Sequence, residues 1–214
     1  MAPRRKRRRY DATARRAAAR RRRQDILAAA HRLFSERGYQ ATSMADVARA
    51  AGVALDTVYA SVGRKPALMR LLVERAIAGV DAPVPAEERD YVREIRAEPD
   101  PARKLAIYAA ALRRIHPRLA PLVRAVQAAA SAHPEVARMW REISERRARN
   151  MRLFAAHLAE TGALRPSLSV EEAADVIWAT NAPETYLLLV GERGWTPERF
   201  EAWLADAWRR LLLA

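Results

Sequence analysis

The sequence predicts an all-α protein, with a small helical domain near its start and a larger helical domain behind it. Three observations carry this reading. Apolar residues recur at i, i+3, i+4 and i+7 through most of the chain, and no strand-like alternation is long enough to matter. Glycine is scarce, at seven in 214 residues, while the good helix formers Ala, Leu and Arg abound. Two Pro-rich acidic stretches, DAPVPAEERD and AEPDPARK, interrupt the helical pattern and mark a boundary.

The elements follow in order. Residues 1–23 hold twelve Arg or Lys against Asp11 alone, so most of the net charge of +14 sits in this arm. It repels itself and has almost nothing apolar to bury, which predicts a disordered or loosely helical segment whose partner is a polyanion. Its candidate contacts are Arg4, Arg5, Lys6, Arg7, Arg8, Arg9, Arg20, Arg21, Arg22 and Arg23. Ile26, Leu27, Ala30, Leu33 and Phe34 then stripe a helix that Gly38 stops. Thr42 and Ser43 offer N-cap oxygens to a second, striped by Met44, Val47, Ala48 and Ala51 and ended by Gly52. Val53 and Val58 anchor a short third helix, and Pro66 opens a fourth from Ala67 to Gly79.

Beyond the boundary a short helix is expected over Glu87 to Ala97. Leu105, Tyr108, Leu112 and Ile115 stripe a longer helix ending near His116-Pro117, and Leu119, Leu122, Val123 and Val126 stripe the next. Pro134 begins a long helix stopped at Gly162; residues 170–190 form an apolar stretch that Pro183 should kink. Phe200, Trp203, Leu204, Ala207, Trp208 and Leu211 stripe the last. The expected domains are therefore the arm at 1–23, a small helical unit at 24–80 and a larger helical unit at 81–214.

The third helix is buried on one side only, and its free side offers Leu55, Asp56, Thr57, Tyr59 and Ser61. A short helix of this kind after a Gly-containing turn is the arrangement of a helix-turn-helix, whose second helix reads base edges while neighbouring groups clamp phosphate. Lys65 stands at the start of the fourth helix, where free N–H groups and the helix dipole favour an anion. The same spacing also suits three helices of a plain bundle with Tyr59 turned inward.

The stretch ILAAAHRLFSERGYQATSMADVARAAGVALDTVYASVGRKPAL, Ile26 to Leu68, resembles the DNA-binding domain of TetR-family transcriptional regulators. The resemblance implies phosphate contacts for Thr42, Tyr59 and Lys65 and a base-reading role for Thr57; Ser43, Leu55 and Ser61 complete the expected DNA face. Three departures stand out: Ala54 in place of a capping Ser, Asp56 where glycine is frequent, and Ser61-Val62 in place of an aromatic pair.

For the larger half the resemblance implies a homodimer, paired through the last helices by Phe200, Trp203, Leu204, Ala207, Trp208 and Leu211. It also implies a small-molecule effector pocket between the helices. Candidate pocket residues are Tyr108, His116, Met139, Trp140, Arg147, Asn150, Trp178, Asn181 and Tyr186, amphipathic or polar groups on inward stripes. A dimeric repressor released by its effector is the expected function. A DNA-binding protein without ligand control and a helical binding protein with a degenerate reading helix are the alternatives.

Enzyme chemistry is not expected. The histidines His31, His116, His133 and His157 are scattered, and no phosphate loop or nucleophile elbow occurs. His157 and Glu160 share a helix face, yet further ligands for a metal are missing. Without cysteine, disulfides and thiol chemistry are excluded. No catalytic residue, cofactor or metal is therefore expected. With neither an 18-residue apolar run nor a signal-peptide pattern, the expected setting is cytoplasmic, away from membranes.

Overall fold

The computed structural model describes residues 4–79 and 84–214, with side chains from residue 13 onward over the same ranges. Among the described residues every regular element is helical, apart from an isolated bridge between Leu164 and Leu213. The chain divides into two compact units between Leu72 and Val73. The expected boundary at 80/81 falls outside the described residues.

The smaller unit contains α1 (Arg4–Arg37), α2 (Met44–Ala51), α3 (Leu55–Val62) and the first half of α4 (Lys65–Ala78). α1 runs straight through the expected end of the arm at residue 23. Ile26, Leu27, Ala30 and Phe34 from α1, Val47 from α2, Val58 and Val62 from α3, and Leu68, Met69 and Leu72 from α4 form its core. The cap of α2 is Ser43 rather than Thr42. Ser43 Oγ accepts from the Asp46 N–H while Asp46 Oδ2 accepts from the Ser43 N–H, a reciprocal capping box. Gly52 closes α2 in the left-handed region at φ +66, where a Cβ would be strained, and Ala54 begins α3 without a side-chain cap.

The larger unit is built on α6 (Pro101–Ala130), which packs against α5 (Asp90–Ala97), α7 (Pro134–Ala159), α9 (Pro183–Tyr186) and α10 (Pro197–Leu212). α8 (Val170–Thr180) packs mainly against α7. A 3-10 turn at Ala86–Glu88 leads into α5, and a π-helical segment at Leu187–Glu192 follows α9.

Two expectations are corrected here. The helix expected to end near His116-Pro117 continues to Ala130, because Pro117 and Pro121 lie one turn apart on its outer face, Pro117 exposed and Pro121 half-buried. Each proline costs one backbone hydrogen bond, but the inner stripe from Leu105 to Ala129 is buried throughout and holds the helix together. The stripe on α10 expected at a dimer interface is split. Phe200, Leu204 and Trp208 are fully buried in their own unit, joined by Leu212; Trp203 and Ala207 are half-buried and Leu211 is 49% exposed. Four-residue steps separate both triads, so one faces inward and the other remains on the outer side.

Two polar contacts secure the frame. Lys104 is buried, yet its Nζ donates to the Ile95 carbonyl at 2.8 Å, to the Glu98 carbonyl and to His157 Nε2 at 3.0 Å, so it closes the end of α5. At the chain end, the Arg165 N–H donates to the Leu212 carbonyl and the Ala214 N–H to the Ala163 carbonyl, tying the last residues to the α7–α8 loop.

Pro117→Ala returns a donor to the helix at an exposed position. Its gain in helix propensity, about 3 kcal/mol at most, is offset by about 0.4–1 kcal/mol from the freer unfolded chain. Urea unfolding should show a more stable protein by about 1–2 kcal/mol.

Candidate functional site

The first candidate surface is the outer side of α3. Val58 and Val62 point into the core, and Leu55 and Tyr59 beside them remain 39% and 43% exposed. Thr57 and Ser61 are half-buried at its flanks. Arg23 donates to the Ser61 carbonyl at the C-terminal end of α3, where a cation also suits the helix dipole. Lys65 is half-buried, with Nζ 4.2 Å above the Tyr39 ring, and Tyr39 itself stacks on Phe34 at 5.7 Å. Burial lowers the Lys65 pKa from its usual value. Asp56 sits exposed in the first turn of α3, where the dipole favours its charge but a phosphate would not.

The second candidate is a partly open cavity of about 200 Å³ within the larger unit. Its wall is mostly apolar, supplied by Leu112, Ile115, Leu119 and Val123 from α6 and by Ile143 and Phe154 from α7. Tyr91, Tyr108 and Trp208 form a stack of rings, with centroids 5.9 and 5.4 Å apart, and Phe154 meets Tyr108 edge-on at 5.3 Å. Trp208 Nε1 donates to Thr180 Oγ1 at 2.7 Å, which fixes the bottom ring.

A polar cluster interrupts the apolar wall. Arg147 Nη1 donates to Asn181 Oδ1 at 2.9 Å, and its guanidinium lies 4.5 Å above the Trp178 ring. Asn181 Nδ2 donates to the Tyr108 hydroxyl at 2.8 Å, and that hydroxyl faces Met151 Sδ at 3.5 Å. Burial, aided by Tyr91, raises the Tyr108 pKa well above its usual value, so the phenol stays neutral. His116 is 1% exposed, and neither ring nitrogen meets a partner in good hydrogen-bond geometry, although the Asn181 backbone lies near enough to favour its charged form slightly. Burial, with the Arg147 charge in addition, pushes its pKa down to about 3.

Residues 26–72 match the sequence profile of bacterial regulatory proteins of the tetR family. The chain carries a TetR-family helix-turn-helix domain. Beyond that domain, the fold is shared with NalD, the secondary repressor of the MexAB-OprM multidrug efflux pump of Pseudomonas aeruginosa. NalD is 20% identical at a TM-score of 0.70, with 91% of this chain and 98% of NalD covered. SmeT, solved as a triclosan complex, is 18% identical at 0.70, covering 90% and 92%. The fatty acid degradation regulator FadR of Bacillus halodurans is 18% identical at 0.69, covering 87% and 94%. At such identities the likeness is one of fold. No curated protein matches by sequence.

Within this TetR-family frame, the expected DNA face is partly rearranged. Leu55, Thr57, Tyr59 and Ser61 share α3, and Lys65 opens the next helix. Ser43 is exposed, with its hydroxyl in the capping box. Thr42 is corrected: it is 1% exposed, and its Oγ1 donates to the Gly38 carbonyl at 2.9 Å and the Leu33 carbonyl at 3.2 Å. The hydroxyl holds the turn after α1 and does not face outward. Arg20, Arg21 and Arg22 are exposed, whereas Arg23 is engaged on α3. The side chains of Arg4, Arg5, Lys6, Arg7, Arg8 and Arg9 lie outside those described.

Of the nine expected pocket residues, Tyr108, His116, Trp140, Arg147, Asn150 and Asn181 line the cavity. Met139 and Tyr186 are instead buried beside it, Tyr186 against His116 and Phe200, and Trp178 backs Arg147. The sequence reading missed Arg89 and Tyr91, because they follow a linker with no helical stripe to give them away. His157 and Glu160 contact each other at 3.2 Å, but Lys104 occupies the other ring nitrogen.

Thr42→Val keeps the shape and leaves two carbonyls without their donor. It should cost about 1–3 kcal/mol in urea unfolding while leaving the salt dependence of DNA binding unchanged. His116 gives a pH signature. The unfolded chain takes up its proton near the ordinary histidine value, the folded one only near 3. Stability is therefore lost as pH falls through that window, at up to about 1.4 kcal/mol per unit. The stability of wild type should fall more steeply than that of His116→Phe between pH 6 and 4.

Proposed function

We propose that the protein is a ligand-responsive transcriptional repressor that binds duplex DNA as a homodimer. The observation that carries the reading is the two-sided character of α3: Val58 and Val62 anchor it, and Leu55 and Tyr59 stand outward beside the Lys65 helix start. A helix held in this way fits the major groove, and the cationic helix start fits the flanking phosphate. Exposed Arg20, Arg21 and Arg22 extend the phosphate contacts along α1. The outer triad of α10, Trp203, Ala207 and Leu211, serves as part of the dimer contact.

Ligand response is supported by the cavity. Its wall includes Val73 and Ile77 from the C-terminal half of α4, the helix whose N-terminal end carries Lys65. A molecule filling the cavity differently in two positions of α4 would shift the DNA-competent population. The relatives lend direction: NalD is named a repressor of an efflux pump, and SmeT was solved with triclosan. DNA binding without ligand control is the less favoured reading, because an open cavity with unpartnered polar groups has no purpose in it.

Sequencing DNA recovered with the purified protein tests the proposal. A single enriched site with half-sites about 34–36 Å apart, or a multiple of that, is the expected result; no enrichment over random DNA would reject it. Lys65→Ala should weaken every sequence alike and lower the salt slope by about 0.9, while changes at Leu55 or Thr57 alter the preferred bases. Deleting residues 1–22, which spares Arg23, should flatten the salt dependence further and leave the preferred site intact.

A further inference from the structure

We propose that the cavity of the larger unit receives a small organic monocarboxylate with an aromatic or alkyl body, its acid group held by Arg147 and His116. This rests on the effector reading above and narrows it to a class of ligand.

The argument begins with donors that have nothing to bond. Arg147 Nε, Arg89 Nε and both nitrogens of His116 are buried without partners, and all three residues line the same cavity. Buried polar atoms are rarely left in this condition, and several at one cavity point to a missing ligand. At its low pKa, His116 is neutral and offers one N–H donor beside one acceptor nitrogen.

Charge selects among ligands. The charged groups lining the cavity are Glu87, Arg89, Arg96, Arg146, Arg147 and, when protonated, His157. Arg146 is paired with Glu74 at 2.6 Å, and His157 is occupied by Lys104 and Glu160. Glu87 and Arg96 are exposed and oppose each other in sign. Among the described residues, Arg89 donates a side-chain hydrogen bond to the Tyr91 hydroxyl alone, at 3.4 Å. Arg147 donates to a neutral amide, and among the described residues none forms an ion pair with it. Glu184, whose charge favours the charged form of Arg147, is not part of the cavity wall; its Oε1 is engaged by Gln127 and its Oε2 is buried without a hydrogen-bond partner.

A guanidinium in a partly dry site, partnered by a ring face and a neutral amide but by no ion pair, favours an anion and repels a cation. A carboxylate answers the Arg147 Nε–H and an imidazole N–H together, through its two oxygens. A doubly charged phosphate would need more donors than these. The rest of the wall, Leu112, Ile115, Leu119, Ile143 and Phe154 among it, suits an apolar body.

Trp140 in the wall and Trp178 beneath Arg147 report occupancy by fluorescence. The full-length protein is titrated with 1-naphthaleneacetate, 1-naphthaleneacetamide, decanoate and decyltrimethylammonium. At least one acid should bind about tenfold or more tighter than its neutral or cationic counterpart. Arg147→Gln should erase that preference, and His116→Phe should weaken the acid severalfold. Thermal unfolding checks that the variants fold, and the wild-type series alone decides the charge preference if they do not. Equal binding of acid and amide, tighter binding of the ammonium, no binding of either acid up to millimolar concentration, or a preference that survives Arg147→Gln in folded protein overturns the proposal. DNA binding of the same preparations separates the two readings. Specific DNA binding with no acid preference rejects the ligand class alone, while acid binding that leaves the DNA complex intact rejects ligand control.

Discussion

A guanidinium placed inside a helical bundle organises the larger unit around itself. Arg147 comes from the middle of α7, where an apolar residue would have closed the core, and burial disfavours its charge. Its compensation is a ring face, Trp178, and an amide oxygen, Asn181. Asn181 can serve because α8 ends there and the chain restarts at Pro183, the first residue of α9. The break before the proline is therefore a positioning device: an unbroken helix would carry the amide along a different path. Through its other end Asn181 reaches Tyr108, and Tyr108 rests on the Trp208 ring from α10. One half-buried cation thus links α6, α7, α8 and α10.

The smaller unit works under another constraint. A helix of eight residues is not stable in isolation, so α3 depends on what holds it. It lacks a side-chain cap at Ala54, and its support comes from two buried valines, the left-handed Gly52 turn before it and the Arg23 contact at its far end. All of these restraints act from one side or from the ends. The rest of the helix surface is not held in the core, and Leu55 and Tyr59 stay exposed there, as the proposed recognition role requires.

Much of this was legible in the sequence because helical periodicity is set by burial, and burial is regular. The stripes of α1, α2 and α7 fall where the apolar spacing puts them. What failed were inferences from single residues. His116-Pro117 read as a stop, although the long buried stripe of α6 outweighs the hydrogen bonds lost at Pro117 and Pro121 on the outer face. Thr42 and Ser43 are interchangeable as caps by type; only the turn after α1 decides which hydroxyl turns inward. Arg23 counted as one more charge of the arm, since nothing local announces a carbonyl 38 residues away. On α10, spacing gave a stripe broad enough for two faces, and sequence alone could not divide it between Phe200 and Trp203.

The cavity and the polar groups in it are two aspects of one energetic condition. Filling the void with larger apolar side chains would give a more stable core, and replacing Arg147 by a hydrophobe would remove the cost of its burial. Neither has happened. His116 adds to the cost, buried between Tyr186 and Phe200 with both nitrogens idle. A ligand bearing complementary acceptors would relieve both the unfilled space and the idle donors in one event, and free energy released only in the occupied state is what a population shift requires. Since Val73 and Ile77 of α4 border the same space, the helix that begins at Lys65 is an element on which that difference can act. On the proposed reading, stability withheld from the empty state would be the source of ligand control.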